Sequence, residues 1–157
     1  MILVLCGTQK QDFSRMINAV EQLADDQEII VQGGHNQYKS DKMNVLGFIA
    51  PEELQKYYQQ ADYIITHAGA ASMIQALKAG KKTIAFPRLY KYDEHVNDHQ
   101  LELAGKFEDL GYLLTFYDGD DIKQLFAKLK KFEAKPYDLE GNIISLVDKE
   151  LEAVLKI

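Results

Sequence analysis

The sequence predicts an α/β fold, in which a Rossmann-like parallel sheet is covered by helices on both faces. Two patterns predict it. Short, continuous apolar runs, typical of strands buried on both faces, alternate along the chain with amphipathic segments of helical period. Five of the apolar runs also end in small or polar residues. Because ligands bind beyond the carboxyl ends of the strands in such sheets, those residues are the candidates for a binding site.

In the first half of the chain the predicted order is strand, helix, strand, strand, helix. The apolar runs over 1–6 (MILVLC) and 28–32 (EIIVQ) flank a helix predicted over 12–26, whose apolar residues recur at helical spacing. A short strand over 45–48 is followed by a helix over 50–61, which has a proline in its first turn, where proline is tolerated.

The second half repeats a strand followed by a helix three times. The predicted strands span 62–67, 82–87 and 112–116, and the predicted helices span 70–80, 98–111 and 120–132. Gly80 closes the first of these helices, and Asp98 is the expected N-terminal cap of the second. A linker over 133–142 leads to a further amphipathic helix predicted over 143–157, and the whole chain, 1–157, is predicted to be one domain.

Composition excludes several classes of protein. With 157 residues, of which 46% are hydrophobic, the chain can bury a core without disulfides or metals. The net charge of −6 argues against nucleic acid as a partner, because phosphates select basic surfaces. Cys6 is the only cysteine, so no internal disulfide can form and a reducing cytoplasm is expected. No apolar run approaches the roughly 20 residues of a membrane span.

The helix start at residues 69–72 has almost no side chains. A helix start exposes unpaired N–H groups, which a Ser, Thr, Asp or Asn side chain normally satisfies. Here Gly69, Ala70 and Ala71 come first and only then Ser72. Open amides at the positive end of the helix dipole favour a phosphate or diphosphate. The alternative is that the small residues let the helix pack closely on the sheet, and the sequence leaves both interpretations open.

A second cluster, over residues 88–100, is rich in Asp, Glu, Asn, Gln and His. The spacing of His95 and His99 could suggest a metal site, but no HExxH pattern is present and both histidines would need to share a formed helix. A loop that hydrogen-bonds sugar hydroxyls fits these side chains better, and a solvated surface loop is the alternative. Gly7 and Thr8, after the first strand, lack the spacing of a dinucleotide-binding or phosphate-binding loop.

Taken together, THAGAASMIQALKAGKKTIAFPR (66–88) and EHVNDHQLELA (94–104) resemble the carboxy-terminal, donor-binding domain of family 28 glycosyltransferases, which have the two-domain GT-B fold. The resemblance covers residues 1 to about 117. The length and layout are similar to free-standing versions of that domain. These are the small subunit of the eukaryotic lipid-linked GlcNAc transferase and, more closely, PssE-like subunits of bacterial exopolysaccharide glycosyltransferases.

The resemblance implies roles for the residues that match the family. The nucleotide phosphates and the uracil would be met by Gly7, Thr8, Phe48, Ile49, Ala68, Gly69, Ala70, Ala71 and Ser72. The transferred sugar would be met by Asp98, His99 and Gln100, with Glu94 and Asn97 in support. Relatives often carry a ribose-binding Glu where this chain has Gln75, which weakens the expectation of UDP selectivity because a neutral amide makes weaker hydrogen bonds than a carboxylate. His67 and Glu94 are the candidate general bases.

The implied reaction is the inverting transfer of galactose or GlcNAc from a UDP-hexose to a lipid-linked saccharide, without a metal or other cofactor. The acceptor-binding half would be a membrane-anchored partner subunit, which would hold this chain at the inner, cytoplasmic face of the membrane. The 143–157 helix would dock on that partner or pack on its own sheet. Two alternatives stay open, namely a non-catalytic nucleotide-sugar-binding protein and another nucleotide-sugar enzyme such as an epimerase.

Overall fold

The computed structural model describes residues 1–137, and in this part of the chain strands and helices alternate as predicted. The strands are β1 (Ile2–Leu5), β2 (Ile29–Gln32), β3 (Asn44–Leu46), β4 (Tyr63–His67), β5 (Lys82–Phe86) and β6 (Leu114–Thr115). The helices are α1 (Ser14–Glu21), α2 (Pro51–Gln60), α3 (Ala70–Lys78), α4 (His99–Asp109) and α5 (Ile122–Lys131). A 3-10 turn, Tyr90–Tyr92, lies in the long loop after β5.

The strands form one sheet in the order β3-β2-β1-β4-β5-β6, and every neighbouring pair is parallel. The predicted α/β fold is therefore confirmed. Strands β2 and β3 lie on one side of β1, and β4, β5 and β6 follow on its other side. The carboxyl ends of β1 and β4 thus lie side by side at the point where the strand order reverses. Sheets of this kind bind their ligands at that position.

Helices cover both faces of the sheet, as the continuous apolar strands require. In β1, Ile2 and Val4 pack with α1 and α5, whereas Leu3 and Leu5 on the opposite face pack with Tyr58 of α2 and with α3. A third apolar cluster joins α3 to α4. Because every strand is held from both sides, the loops at its carboxyl end start from a rigid position.

The structure differs from the sequence-based elements at their ends. Helix α1 stops at Glu21 and turns follow it, although Leu23 still packs in the core. Asp98 lies at the N-terminal cap of α4 but does not cap it with its side chain, so that prediction is wrong in its chemistry. The predicted helix over 143–157 lies outside the described residues. Across residues 1–137, every helix is too short or too polar to cross a membrane.

Candidate functional site

A cavity of about 620 Å³ opens at the carboxyl ends of β1 and β4. Most of the residues that line it come from the two loops that the sequence singled out. They are Gly7, Thr8, Gln9, His67, Ala68, Gly69, Ala70, Ala71, Ser72, His95, Gln100 and Leu103. The predicted loop residues of β1 and β4 are therefore brought together, as expected from their adjacent strands.

A smaller cavity, of about 170 Å³, adjoins the first and shares Gly7, Thr8 and Ser72 with it. Phe48 and Ile49, from the loop after β3, line this second cavity together with Gln75 from α3. Phe48 is 60% exposed and meets the ring of His35 edge-on. A small, partly apolar cavity beside a larger one lined by small residues suits a nucleotide base and its phosphates.

Helix α3 begins at the junction of the two cavities. Gly69 occupies the cap position in an extended conformation, and no side chain of the described residues caps the helix. The first helical hydrogen bond runs from Met73 N–H to the Gly69 carbonyl (3.1 Å), so the amides of Ala70, Ala71 and Ser72 come before it. Ala71 is exposed and Ser72 is half-buried. The predicted bare helix start is confirmed as geometry.

The two glycines at the site are required by the ring of His67. A Cβ atom at Gly69 would lie 2.3 Å from His67 Cε1, and one at Gly7 would lie 2.6 Å from His67 Nε2. Gly7 also has a positive φ of 79°, which glycine adopts without strain. Gly69 is thus small for a packing reason, whereas Ala70 and Ala71 line the cavity. Packing therefore explains the glycine at position 69, and the anion-site interpretation of Ala70 and Ala71 stays a prediction.

His67 is enclosed at the bottom of the larger cavity, with 9% of its surface exposed. Its Nε2 lies 3.2 Å from Ser72 Oγ and its Nδ1 lies 3.4 Å from Gln100 Nε2. Burial, with smaller contributions from Arg88 and His95, lowers the pKa of His67 to about 4. The imidazole is therefore neutral at pH 7, and both of its nitrogens already have a neighbour.

The structure does not bring Glu94, the other candidate base, into the cavity. Its carboxylate is 3% exposed and accepts two hydrogen bonds from Arg15 of α1, at 2.8 and 2.9 Å. It also accepts the backbone N–H of Leu89 at 3.0 Å. A carboxylate held by a forked guanidinium in this way orders the loop, because both oxygens are occupied.

Asn97, Asp98 and His99 do not line either cavity. Asp98 accepts the backbone N–H of Tyr90 (2.9 Å), and Asn97 Oδ1 accepts that of His99 (3.0 Å) at the start of α4. Asn97 thus supplies a cap-like contact that the sequence assigned to Asp98. Gln100 does reach the cavity, but its Oε1 accepts the backbone N–H of Arg88 at 3.1 Å. Of the three residues predicted to meet the sugar and the two predicted to support them, only Gln100 lies at the cavity.

Sequence reasoning missed Leu103 as a lining residue, and it gave no role to Gln9 and His95, although both lie in loops predicted at the ligand-binding edge. It also missed Arg88, which is completely buried although it carries a guanidinium. Arg88 donates to the carbonyls of Cys6 (2.8 Å), Gln11 (2.8 Å) and Glu94 (3.2 Å), and so ties the loops after β1 and β5 together. The position of Arg88 directly after the strand was the only available signal, since two of its three partners are backbone carbonyls 77 and 82 residues away in sequence.

Burial and neighbouring charges also shift the pKa values of two other groups near the site, Cys6 and His95. Burial raises the pKa of the Cys6 thiol to about 12, so this cysteine is an inert core residue. Burial and the nearby Arg88 lower the pKa of His95. Within residues 1–137, no group of three or more His, Cys, Asp or Glu side chains is arranged to hold a metal ion. The expectation that no metal is needed stays a prediction.

Comparison with known proteins agrees with this geometry. The model of the glycosyltransferase family 28 C-terminal domain matches residues 1–150. The UDP-N-acetylglucosamine transferase subunit ALG13 of Candida glabrata is 32% identical over 82% of this chain, and that of Candida albicans is 31% identical over 55% of it. This chain spans only 62% and 28% of those two proteins' lengths. An NMR solution structure of ALG13 superposes with a TM-score of 0.59 at 20% identity, covering 98% of this chain and 96% of that one.

Proposed function

Since this chain belongs to the glycosyltransferase family 28 C-terminal domain family, we propose that it is the donor-binding part of an inverting glycosyltransferase. The proposed donor is UDP-N-acetylglucosamine, and the acceptor-binding half is a separate partner subunit. The related proteins are named as transferase subunits for this donor, which supports the choice of sugar and the need for a partner.

The observation that carries the proposal is the pair of joined cavities at the start of α3. The smaller cavity beside Phe48, Ile49 and Gln75 fits a uracil and its ribose. The open amides of α3 and the larger cavity then fit the diphosphate and the sugar. Because negative charge grows on the diphosphate as the glycosidic bond breaks, fixed amides and the helix dipole stabilise the transition state more than the ground state.

A general base for the acceptor hydroxyl is better sought in the partner. Neutral His67 has a polar neighbour at each nitrogen, and Glu94 is held by Arg15 outside the cavity. The proposed role of this chain is therefore to grip the donor and to stabilise the leaving group. A lipid-linked saccharide as acceptor and a membrane-anchored partner are part of the same proposal, which would keep this chain at the cytoplasmic face of a membrane.

Donor binding is tested by isothermal titration of the purified chain with UDP, UDP-N-acetylglucosamine, UDP-galactose, GDP-mannose, ATP and NAD. We expect binding of the uridine compounds only, with the N-acetylglucosamine compound preferred over the galactose compound. A parallel titration after treatment with EDTA should give the same affinity, because amides rather than a metal ion hold the diphosphate. Lack of binding by every uridine compound would overturn the proposal, and preference for UDP-galactose would change the donor.

A further inference from the structure

A chain of hydrogen bonds leads from the backbone of the β5 loop to the anion site. The Arg88 N–H lies 3.1 Å from Gln100 Oε1, Gln100 Nε2 lies 3.4 Å from His67 Nδ1, and His67 Nε2 lies 3.2 Å from Ser72 Oγ. Arg88, Gln100 and His67 are buried. Ser72, the last residue of this hydrogen-bonded series, lies where the two cavities meet.

The donor and acceptor at each step follow from the first one. A backbone N–H can only donate, so the Gln100 atom that faces Arg88 must be the carbonyl oxygen. The Gln100 amino group then faces His67, where it must donate, and Nδ1 of His67 must accept. A neutral imidazole carries one proton, which leaves it on Nε2. His67 therefore donates to the oxygen of Ser72.

The ring of His67 is closely enclosed by the backbone of two neighbouring loops. Gly7 and Gly69 enclose it so closely that a Cβ at either position would collide with ring atoms. Burial and Arg88 lower the pKa of His67 and keep it neutral, which excludes a form with protons on both nitrogens at pH 7. Ser72 makes no other side-chain hydrogen bond within residues 1–137. Its own hydroxyl proton is consequently available to a ligand.

We propose that Gln100 is a positioning residue, which selects the Nε2–H form of His67 and so turns the Ser72 hydroxyl into a donor aimed at a bound diphosphate. The proposal rests on the proposed function in that the ligand is a nucleoside diphosphate. It gives Gln100 a task other than contact with the sugar. It also explains why the Gln100 amide is buried and shared between a backbone N–H and an imidazole.

The form of His67 is tested directly by NMR of the nitrogen-labelled, ligand-free chain at neutral pH. We expect the nitrogen shift of an unprotonated Nδ1 and a protonated Nε2 for His67, assigned by its loss in His67→Gln. Exposed His35, whose ring makes no hydrogen bond within residues 1–137, serves as the control. A protonated Nδ1 in His67 would overturn the proposal, whether or not the chain binds a nucleotide.

The consequence for binding is tested with Ser72→Ala in two backgrounds, wild type and Gln100→Glu. The ionised carboxylate that this second substitution introduces still accepts from Arg88 but cannot donate, so His67 must move its proton to Nδ1 and Ser72 must donate to Nε2 instead. In the wild type we expect Ser72→Ala to weaken UDP binding about tenfold, because a hydrogen bond to a charged ligand is lost. In the Gln100→Glu background we expect less than about a twofold effect.

The introduced carboxylate repels the ligand whether or not Ser72 is present. This repulsion therefore cancels when the effect of Ser72→Ala on UDP affinity is measured within each background. The titrations are run at about pH 8.5, two units above the ordinary histidine pKa of about 6.5, so that His67 stays neutral beside the new carboxylate. Ser72→Thr, which keeps the hydroxyl, should retain most of the affinity. An equal loss from Ser72→Ala in both backgrounds would overturn the proposal. Absence of UDP binding in the wild type would instead overturn the proposed function. The NMR result would still decide whether Gln100 selects the Nε2–H form of His67.

Discussion

At the scale of single residues, the site depends on groups whose partners are distant in the chain. Glu94 and Arg15 are 79 residues apart, and two of the three carbonyls that hold Arg88, those of Cys6 and Gln11, belong to the loop after β1. The two candidate general bases, His67 and Glu94, both form hydrogen bonds with other side chains of the protein. We therefore expect substitution or protonation of these residues to change the stability of the fold, which is not expected of a side chain without protein partners.

Glu94→Gln should destabilise the fold without affecting donor binding. The substitution leaves the Arg15 guanidinium without its carboxylate, and we expect the free energy of unfolding to fall by about 2 kcal/mol, somewhat less than for a fully buried pair because Arg15 is partly exposed. UDP affinity should change less than about twofold. Urea unfolding and calorimetric titration measure the two effects, with the exposed Glu28→Gln as the matched control. A large loss of turnover with unchanged stability would contradict this structural role.

The low pKa of His67 predicts a loss of stability in mild acid. Its pKa of about 4 lies below the value of about 6.5 expected in the unfolded chain, so protons bind preferentially to the unfolded state. Its contribution to stability is full above about pH 6.5 and declines as the pH falls toward 4. Between pH 7.5 and pH 5, we expect the wild type to lose about 2 kcal/mol more than His67→Gln. His35→Gln, at an exposed position, should behave like the wild type, and equal losses in all three proteins would refute the assignment.

At the scale of elements, helix α3 is the functional part of the sheet-and-helix frame. Its first turn is open at the cavity, while Met73, Ala76 and Leu77 on its buried side pack in the core. The same helix therefore anchors the site and presents its amides. Substitutions on its two exposed ends can separate ligand binding from stability.

Ala71→Asp should weaken UDP binding by more than about tenfold while the fold is kept or slightly stabilised. An Asp in the first turn of a helix interacts favourably with the dipole, by about 0.3–1 kcal/mol, but its charge would repel the diphosphate. Ala79→Asp, at the exposed C-terminal end of the same helix, is the control and should leave UDP binding unchanged. Position 71 is preferable to Gly69, where any side chain would displace His67. Unchanged UDP affinity in Ala71→Asp would mean that the anion lies elsewhere.

Considered over residues 1–137 as a whole, the site occupies one edge of one sheet. The loops after β1, β3, β4 and β5 contribute residues to it, and all of them lie on that edge. Such a surface can hold a nucleotide sugar from one side. We expect that the surface formed by residues 1–137 does not also enclose an acceptor from the opposite side.

The isolated chain should bind donor but transfer sugar very slowly. Holding two reactants in line is worth about 7–11 kcal/mol of barrier, and this chain positions only one of them. Transfer of labelled N-acetylglucosamine to a lipid-linked acceptor, measured with and without a co-expressed acceptor-binding partner, should require the partner. The Ala71→Asp variant with the partner is the control and should be inactive. Rapid transfer by the isolated chain would contradict this division of labour between the two subunits.

From the sequence alone one can predict the alternation of strands and helices, the edge on which the loops gather, and the family. These follow from apolar periodicity, from helix start and stop residues and from two motifs, all of which are local in the chain. In contrast, the folded structure was needed to show that Glu94 pairs with Arg15, that Gly7 and Gly69 enclose His67, and that Gln100 contacts Arg88 and His67. The reason is physical. Backbone conformation responds to neighbours a few residues away, whereas the partner of a buried side chain is whatever the packing of distant segments brings within hydrogen-bond reach.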